Sequence, residues 1–256
     1  MKLIQSRDNA FYKQLKRLAE SGRERRKSGQ TVLDGVHLVE AYEQAIGPVD
    51  TLIVGESAQQ AGEIARFLQG RDIVVLSDAL LREIAPVDTP SGLMAVAAMP
   101  QATAAVHRQK DAILLDGVQD PGNVGTLLRT AAAAGITQAI LSPGCASAWS
   151  PKVLRAGQGA HFVLAIHEEA DLLDFIARYE GTTAVTCLDG ASSLYEARWE
   201  EPLAWIFGAE GLGVRRELID AAQLRIKIPM PGAVESLNVA AAAAICLFEA
   251  LRRRLS

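Results

Sequence analysis

Cysteine is scarce in this chain. The three present, Cys145, Cys187 and Cys246, lie far apart with no C-x-x-C pair, which argues against a disulfide framework and gives no zinc-ribbon pattern. They read as small buried hydrophobes. The four histidines, His37, His107, His161 and His167, show no ligand spacing, so no metal is expected. No apolar run approaches the ~20 residues of a bilayer span, and Met1 to Ala10 has no apolar segment of signal-peptide type. The expectation is a soluble, cytoplasmic protein with no membrane partner.

What is present is enough apolar material, 49% of 256 residues, for one large core or two modest ones. The net charge of −4 argues against a nucleic-acid partner, but it is unevenly placed. Residues 1–30 hold nine Lys or Arg against Asp8, Glu20 and Glu24, so the remainder carries −10. The run RLAESGRERRKSG (17–29) reads either as a solvated, partly disordered arm or as a phosphate-contacting surface.

Strand-like runs TVLDG (31–35), TLIV (51–54), IVVL (73–76) and LMAVAA (93–98), with an amphipathic helix over 37–46, predict a small α/β domain over 1–98. Residues 99–111 (MPQATAAVHRQKD) have no sustained periodicity and read as a linker. From Ala112 to Ser256 near-continuous apolar strands alternate with helices: AILLD, 124–134, QAILS, 151–157, FVLAI, 172–179, TAVTC, LAWIF and a last helix over 237–254. That pattern implies a parallel sheet covered on both faces. Sites in such sheets lie beyond the carboxyl ends of the strands.

Three of those ends carry chemistry. In LLDGVQDPGNVGTLLRTAAAAG (114–135) Asn123 sits at a helix entrance and Arg129 more than a turn further on; Asn123 could be a mere cap, whereas an Arg in an Ala-rich helix is harder to dismiss. In WIFGAEGLGV (205–214) Gly208, Gly211 and Gly213 crowd Glu210, spaced G-x-x-G-x-G rather than the dinucleotide G-x-G-x-x-G. In IKIPMPGAVESLNVAAAAA (226–244) Ser236 is the expected N-cap, and Asn238 is a second polar group that a cap does not need. The alanine run offers a smooth face for another helix.

Together D-P-x-N-x-G-x-x-x-R, F-G-x-E-x-x-G-V and I-P-M-x-G-x-x-x-S-L-N-V resemble the three ordered motifs of SpoU-type ribose 2′-O-methyltransferases of the SPOUT superfamily, over about 112–254. Residues 1–98, with VLDGVHLVEAY, resemble the small RNA-binding domain often fused ahead of them. The resemblance implies a knotted (trefoil) parallel-sheet methyltransferase domain, which general topology rules would exclude. It also implies a homodimer and S-adenosyl-L-methionine as cofactor. By matching position, Gly208, Ile228 and Leu237 would contact that cofactor, with Glu210, Gly211 and Met230 lining its pocket. Asn123, Arg129, Glu210, Ser236 and Asn238 would form the catalytic group. Because a guanidinium is a poor base, Arg129 is expected to grip the phosphate next to the target ribose, with Asn123 and Glu210 orienting it. Ala240 departs from the serine common after Asn-Val and touches none of these assignments.

The implied reaction is methylation of a ribose 2′-hydroxyl in RNA, ribosomal RNA of the large subunit first and transfer RNA second. Three other readings compete: methylation of a base nitrogen, a non-catalytic RNA-binding assembly factor, and a nicotinamide reductase, the last weakened by the glycine spacing.

Overall fold

A computed structural model describes residues 2–87, 89–100, 105–188, 190–234 and 236–255. Contacts divide the chain into two compact units, Met1–Gln101 with Trp149–Phe162, and Ala102–Ala148 with Val163–Ser256. The sequence reading placed the boundaries at 1–98, 99–111 and 112–256; the departure is the segment 149–162.

The first unit is a mixed sheet of β1 (Lys2–Ile4), β2 (Gln30–Asp34), β3 (Thr51–Gly55), β4 (Ile73–Leu76) and β5 (Leu93–Ala98), in the order β1-β4-β3-β5-β2. β5 runs antiparallel to both β2 and β3, while β3 pairs β4 in parallel. Alternation then gives each face its own core. One gathers Leu33, Val54, Val75 and Ala95 with α3 (Val36–Ala45). The other gathers Val32, Ile53, Leu76 and Met94 with α1 (Ala10–Glu20).

The basic opening is helical: Asn9 caps α1, accepting from Phe11 N and Tyr12 N, and α2 (Gly22–Ser28) follows, capped by Ser21 and ended by Gly29 at φ 67°. The reading of 17–29 as a partly disordered arm is therefore corrected. Tyr12, Leu15 and Leu18 recur at helical spacing and are buried, so this stretch carries an apolar stripe beneath its charges.

The segment 149–162 joins this unit because its apolar side chains belong to the first core. Leu154 is fully buried in that core, and Trp149 and Phe162 pack against the same cluster. Helix α4 (Gly62–Phe67) follows β3 and α5 (Asp78–Ile84) follows β4. The inserted helix is α7 (Pro151–Gly157), capped by Ser150, and its Arg155 is ion-paired with the buried Asp34 carboxylate, which also accepts from Ser91 Oγ at 2.9 Å.

The second unit is a seven-stranded sheet, parallel at every pairing of the described residues, in the order β10-β12-β9-β11-β6-β7-β8. Its strands are β6 (Ala112–Asp116), β7 (Gln138–Leu141), β8 (Ala165–His167), β9 (Thr182–Thr186), β10 (Ser192–Ser193), β11 (Leu203–Gly208) and β12 (Leu224–Lys227). FVLAI contributes only its end to β8, residues 160–162 forming a 3₁₀ turn instead. Helices α6 (Pro121–Ala133), α8 (Leu172–Arg178), α9 (Arg216–Ala221) and α10 (Val239–Arg254) complete the unit. The alanine run is used inside the subunit: α10 packs on α6 and buries Val239, Ala240, Ala243, Cys246, Leu247 and Ala250.

Part of the expected linker, 101–104, lies outside the described residues. The part after it is tied to the sheet: buried Gln138 donates to His107 O at 2.6 Å and Lys110 O at 3.0 Å and accepts from His107 N.

Candidate active site

Strands β12, β9, β11 and β6 are neighbours and parallel, so their carboxyl ends and the loops after them open on one edge. This is where ligands sit in open parallel sheets.

After β6, Gly117 turns the chain at φ 63° and Asp120 caps α6, its Oδ1 accepting from Asn123 N at 2.8 Å, with Pro121 at the first position. The cap being taken by Asp120, the Asn123 side chain is left free for other work. Its Nδ2 donates to Glu210 Oε1 at 2.6 Å, and Asn238 Nδ2 donates to the same oxygen at 2.6 Å and to Asn123 Oδ1 at 3.0 Å. Three residues spread over 115 positions of sequence thus close one triangle.

Asn238 is also the N-cap of α10, its Oδ1 accepting from Ala240 N at 2.9 Å and Ala241 N at 3.2 Å. The expectation of Ser236 as N-cap is corrected: α10 starts at Val239, which leaves Ser236 two residues outside the capping position. Arg129 stands apart. It is exposed on α6, roughly 9 Å along the axis from Asn123 at 1.5 Å per residue, and has no hydrogen-bond or ion-pair partner among the described residues. The idea that Asn123 and Glu210 orient Arg129 does not hold within this chain, because their polar groups bond each other and Asn238.

The Gly-rich loop after β11 folds back on itself. Gly213 N donates to Ala209 O at 2.7 Å, and a Cβ at Gly208 would lie 2.2 Å from Gly213 C. Only glycine permits that approach. The far end of the loop is held from β6: Asp116, 3% exposed, accepts from Arg215 N at 2.9 Å, Arg215 Nε at 2.8 Å and Ser142 Oγ at 3.3 Å. Sequence reasoning missed this clamp. The signal was a carboxylate ending an otherwise apolar strand, which must find partners when buried.

A cavity of about 670 Å³ opens beside these loops. Gly208, Gly211, Ile228, Met230 and Leu237, the expected cofactor residues, line it together with Glu210 and Ser236; Asn123, Arg129 and Asn238 do not. The end of β9 adds Thr186, Cys187, Leu188 and Gly190 to its wall, a contribution that the sequence reading did not foresee. No group of metal-ligating side chains occurs among the described residues, and no described helix is long and apolar enough to cross a membrane.

A parallel α/β sheet with a ligand-sized cavity at its strand ends, walled by glycine loops and by Glu210 of the amide–carboxylate triangle, defines an enzyme of the small-cofactor α/β class. The SpoU rRNA Methylase family model matches residues 111–248 and the MRM3-like substrate binding domain matches residues 9–95. This chain belongs to the SpoU rRNA methylase family, with its α/β methyltransferase fold. It is 34% identical to the 23S rRNA (guanosine(2553)-2'-O)-methyltransferase RlmP of Bacillus subtilis (strain 168), over 97% of this chain and 98% of that protein. Among solved structures, an RNA 2'-O ribose methyltransferase superposes with a TM-score of 0.86 at 30% identity, covering 99% of this chain and 100% of the other. The AdoMet-bound rRNA methyltransferase from Sinorhizobium meliloti gives a TM-score of 0.80 at 27% identity, covering 100% and 98%.

Proposed function

We propose that this enzyme transfers the methyl group of S-adenosylmethionine to a ribose 2′-hydroxyl of large-subunit ribosomal RNA. The observation that carries the reading is the cavity: its volume of about 670 Å³ and its mixed lining of glycine backbone with Ile228, Met230 and Leu237 suit a molecule with a flat base and polar ends. Gly208, Gly211, Ile228, Met230 and Leu237 hold the cofactor, which when bound supplies an electrophilic methyl carbon.

The chain's own residues position the hydroxyl. Glu210 takes both amide N–H groups on Oε1, so the triangle fixes the Gly-rich loop against α6 and α10, and Ser236 borders the cavity beside it. Arg129, exposed and unpartnered among the described residues, grips the phosphate next to the target ribose and offsets developing alkoxide charge. A guanidinium carries donors and no acceptor atom, so Arg129 is no base, and solvent water or a neighbouring group takes the proton.

The dimer and the knot belong to the same reading. Ala241 and Phe248 are exposed on α10 one heptad apart, with Leu255 exposed just past its end, a stripe that suits a second copy. The knot rests on membership of the family. A cytoplasmic location accords with a ribosomal substrate.

The test is transfer of labelled methyl to separate ribosomal and transfer RNA pools, followed by nucleoside mass analysis. A 2′-O-methyl nucleoside from large-subunit RNA is the expected product; a base-methylated nucleoside overturns the ribose assignment, and label in transfer RNA alone overturns the substrate. Arg129→Lys keeps the charge but loses the two-pronged donor and should lower kcat by roughly a hundredfold or more; turnover near wild type removes the phosphate-gripping role.

A further inference from the structure

Eight of the nine basic residues of 1–30 fall into two groups once the partners of their side chains are traced. Arg7 Nε donates to Glu83 Oε1 at 2.9 Å, Lys13 Nζ lies 2.9 Å from Asp8, and Lys16 lies 3.8 Å from Glu20. Arg25 is buried and its Nη1 donates to Leu18 O at 2.8 Å and Ala19 O at 3.1 Å, closing the carbonyl end of α1. These four serve the fold. Arg17, Arg23, Arg26 and Lys27 are exposed, and no hydrogen bond or ion pair reaches them among the described residues.

Arg23, Arg26 and Lys27 stand at i, i+3 and i+4 of α2 and so share one face, opposite the side that buries Arg25. Like charges at that spacing repel and work against the helix. The helix dipole explains the two in its last turn but not Arg23, which sits in the first turn, where a cation is unfavourable. Glu24, half-buried beside them, caps nothing on this face. An exposed trio of cations that costs its own helix stability fits a partner that brings anions at regular spacing.

We propose that the α2 face of Arg23, Arg26 and Lys27, extended by Arg17 at the end of α1, is the surface of the N-terminal unit that docks on the phosphate backbone of the substrate RNA. The inference rests on the reading of this chain as a ribosomal RNA methyltransferase and says which face of the first unit meets the RNA. Contacts of this kind orient the RNA without reading its sequence.

The test compares the full-length protein with a triple variant, Arg23→Gln, Arg26→Gln and Lys27→Gln, and with a charge-keeping one, Arg23→Lys, Arg26→Lys and Lys27→Arg. Binding to transcribed 23S ribosomal RNA is measured from 50 to 200 mM KCl, alongside calorimetric binding of S-adenosylhomocysteine and methyl-transfer kinetics. The glutamine variant should bind RNA roughly tenfold or more weaker, with the slope of log affinity against log salt shallower by about 2 to 3, since each lost phosphate contact removes about 0.7 to 0.9. Its KM for RNA should rise while kcat at saturating RNA and S-adenosylhomocysteine affinity stay unchanged. The charge-keeping variant should keep the slope.

An unchanged salt slope in the glutamine variant overturns the proposal, as does RNA affinity retained while binding to anionic phospholipid vesicles is lost. If the wild type binds this RNA and the slope falls in the variant but no methyl is transferred, the docking face stands and the methyltransferase reading fails. If methyl transfer proceeds and the variant matches wild type, the reverse holds.

Discussion

In each unit a Leu-Asp-Gly tripeptide closes a buried strand: Leu33-Asp34-Gly35 ends β2 and Leu115-Asp116-Gly117 ends β6. Both glycines have positive φ, 103° and 63°. Both carboxylates are buried, and each accepts a serine hydroxyl and an arginine from a distant segment. The resemblance ends with what the arginine brings. Arg155 arrives on α7, whose Leu154 fills the first core, so the Asp34 pair seals an inserted piece of chain into a packed body. Arg215 closes the Gly-rich loop that forms the cavity wall, so the Asp116 pair fixes a ligand loop. The same local chemistry is structural in one place and supports a site in the other, and only the segment at the far end tells which.

Several substitutions sharpen that contrast. The largest effect is expected in the site-bearing unit, from Gly208→Ala. The new Cβ would meet backbone at 2.2 Å, which cannot yield as a side chain tip would. Calorimetry should show S-adenosylhomocysteine binding lost or weakened more than about a hundredfold, with stability down by ~3 kcal/mol; an unaltered Kd would remove the loop from the cofactor site.

Next come the two arginines. Arg155→Leu leaves the Asp34 carboxylate buried without its cation, and breaking a buried pair costs ~3–5 kcal/mol. With the Arg155 side chain 32% exposed, the lower end of that range, about 3 kcal/mol, is expected in denaturant titration, and cofactor affinity should stay as in wild type. Arg215→Leu should do the opposite. Its side chain is 57% exposed, so stability should fall by only about 1 kcal/mol, while S-adenosylhomocysteine binding weakens roughly tenfold. If both variants lose stability alone, the contrast between the clamps is gone.

Smaller again is the cap of α10. Asn238→Ala should cost ~1 kcal/mol in thermal unfolding and also open the triangle with Glu210, whereas Ser236→Ala should stay within about 0.5 kcal/mol.

The mildest effect is on acid stability. In the first unit, Arg7 and then the Tyr12 hydroxyl hold Glu83 down to about 2 from 4.5; in the second, Arg252 and Arg253 hold Glu249 to about 2. A depressed carboxylate contributes stability that is complete above its unfolded value and is lost as pH falls through the folded one. Melting temperature should therefore drop between about pH 4.5 and 2, and Glu83→Gln should lessen that drop. An identical acid profile in this variant would show that Glu83 does not contribute.

Much of this was legible in the residues. The strands AILLD, LMAVAA and IVVL carry uninterrupted apolar runs and were placed at their observed bounds, because burial on both faces leaves no room for polar alternation. The basic opening was less legible: its charges masked the stripe of Tyr12, Leu15 and Leu18, which shows only when the polar positions are set aside. The site was legible as three loops, yet not as contacts. Ser236 and Asn238 are both good caps by residue type, and which one serves depends on where α10 can begin while packed on α6. Likewise, nothing local to Arg129 says that it stands apart from Asn123.

The sequence by itself determined the alternation of strands and helices, the strand-end position of the three polar loops and their family, since these follow from hydrophobic period and residue type along the chain. Tertiary structure alone decided that residues 149–162 join the first unit, that Asp116 reaches Arg215 across the sheet end, and that Asn123, Glu210 and Asn238 meet on one carboxylate oxygen. Those contacts join residues dozens of positions apart. Their geometry is set by which strands lie side by side, and strand order is a property of the packed sheet that no single stretch of chain encodes.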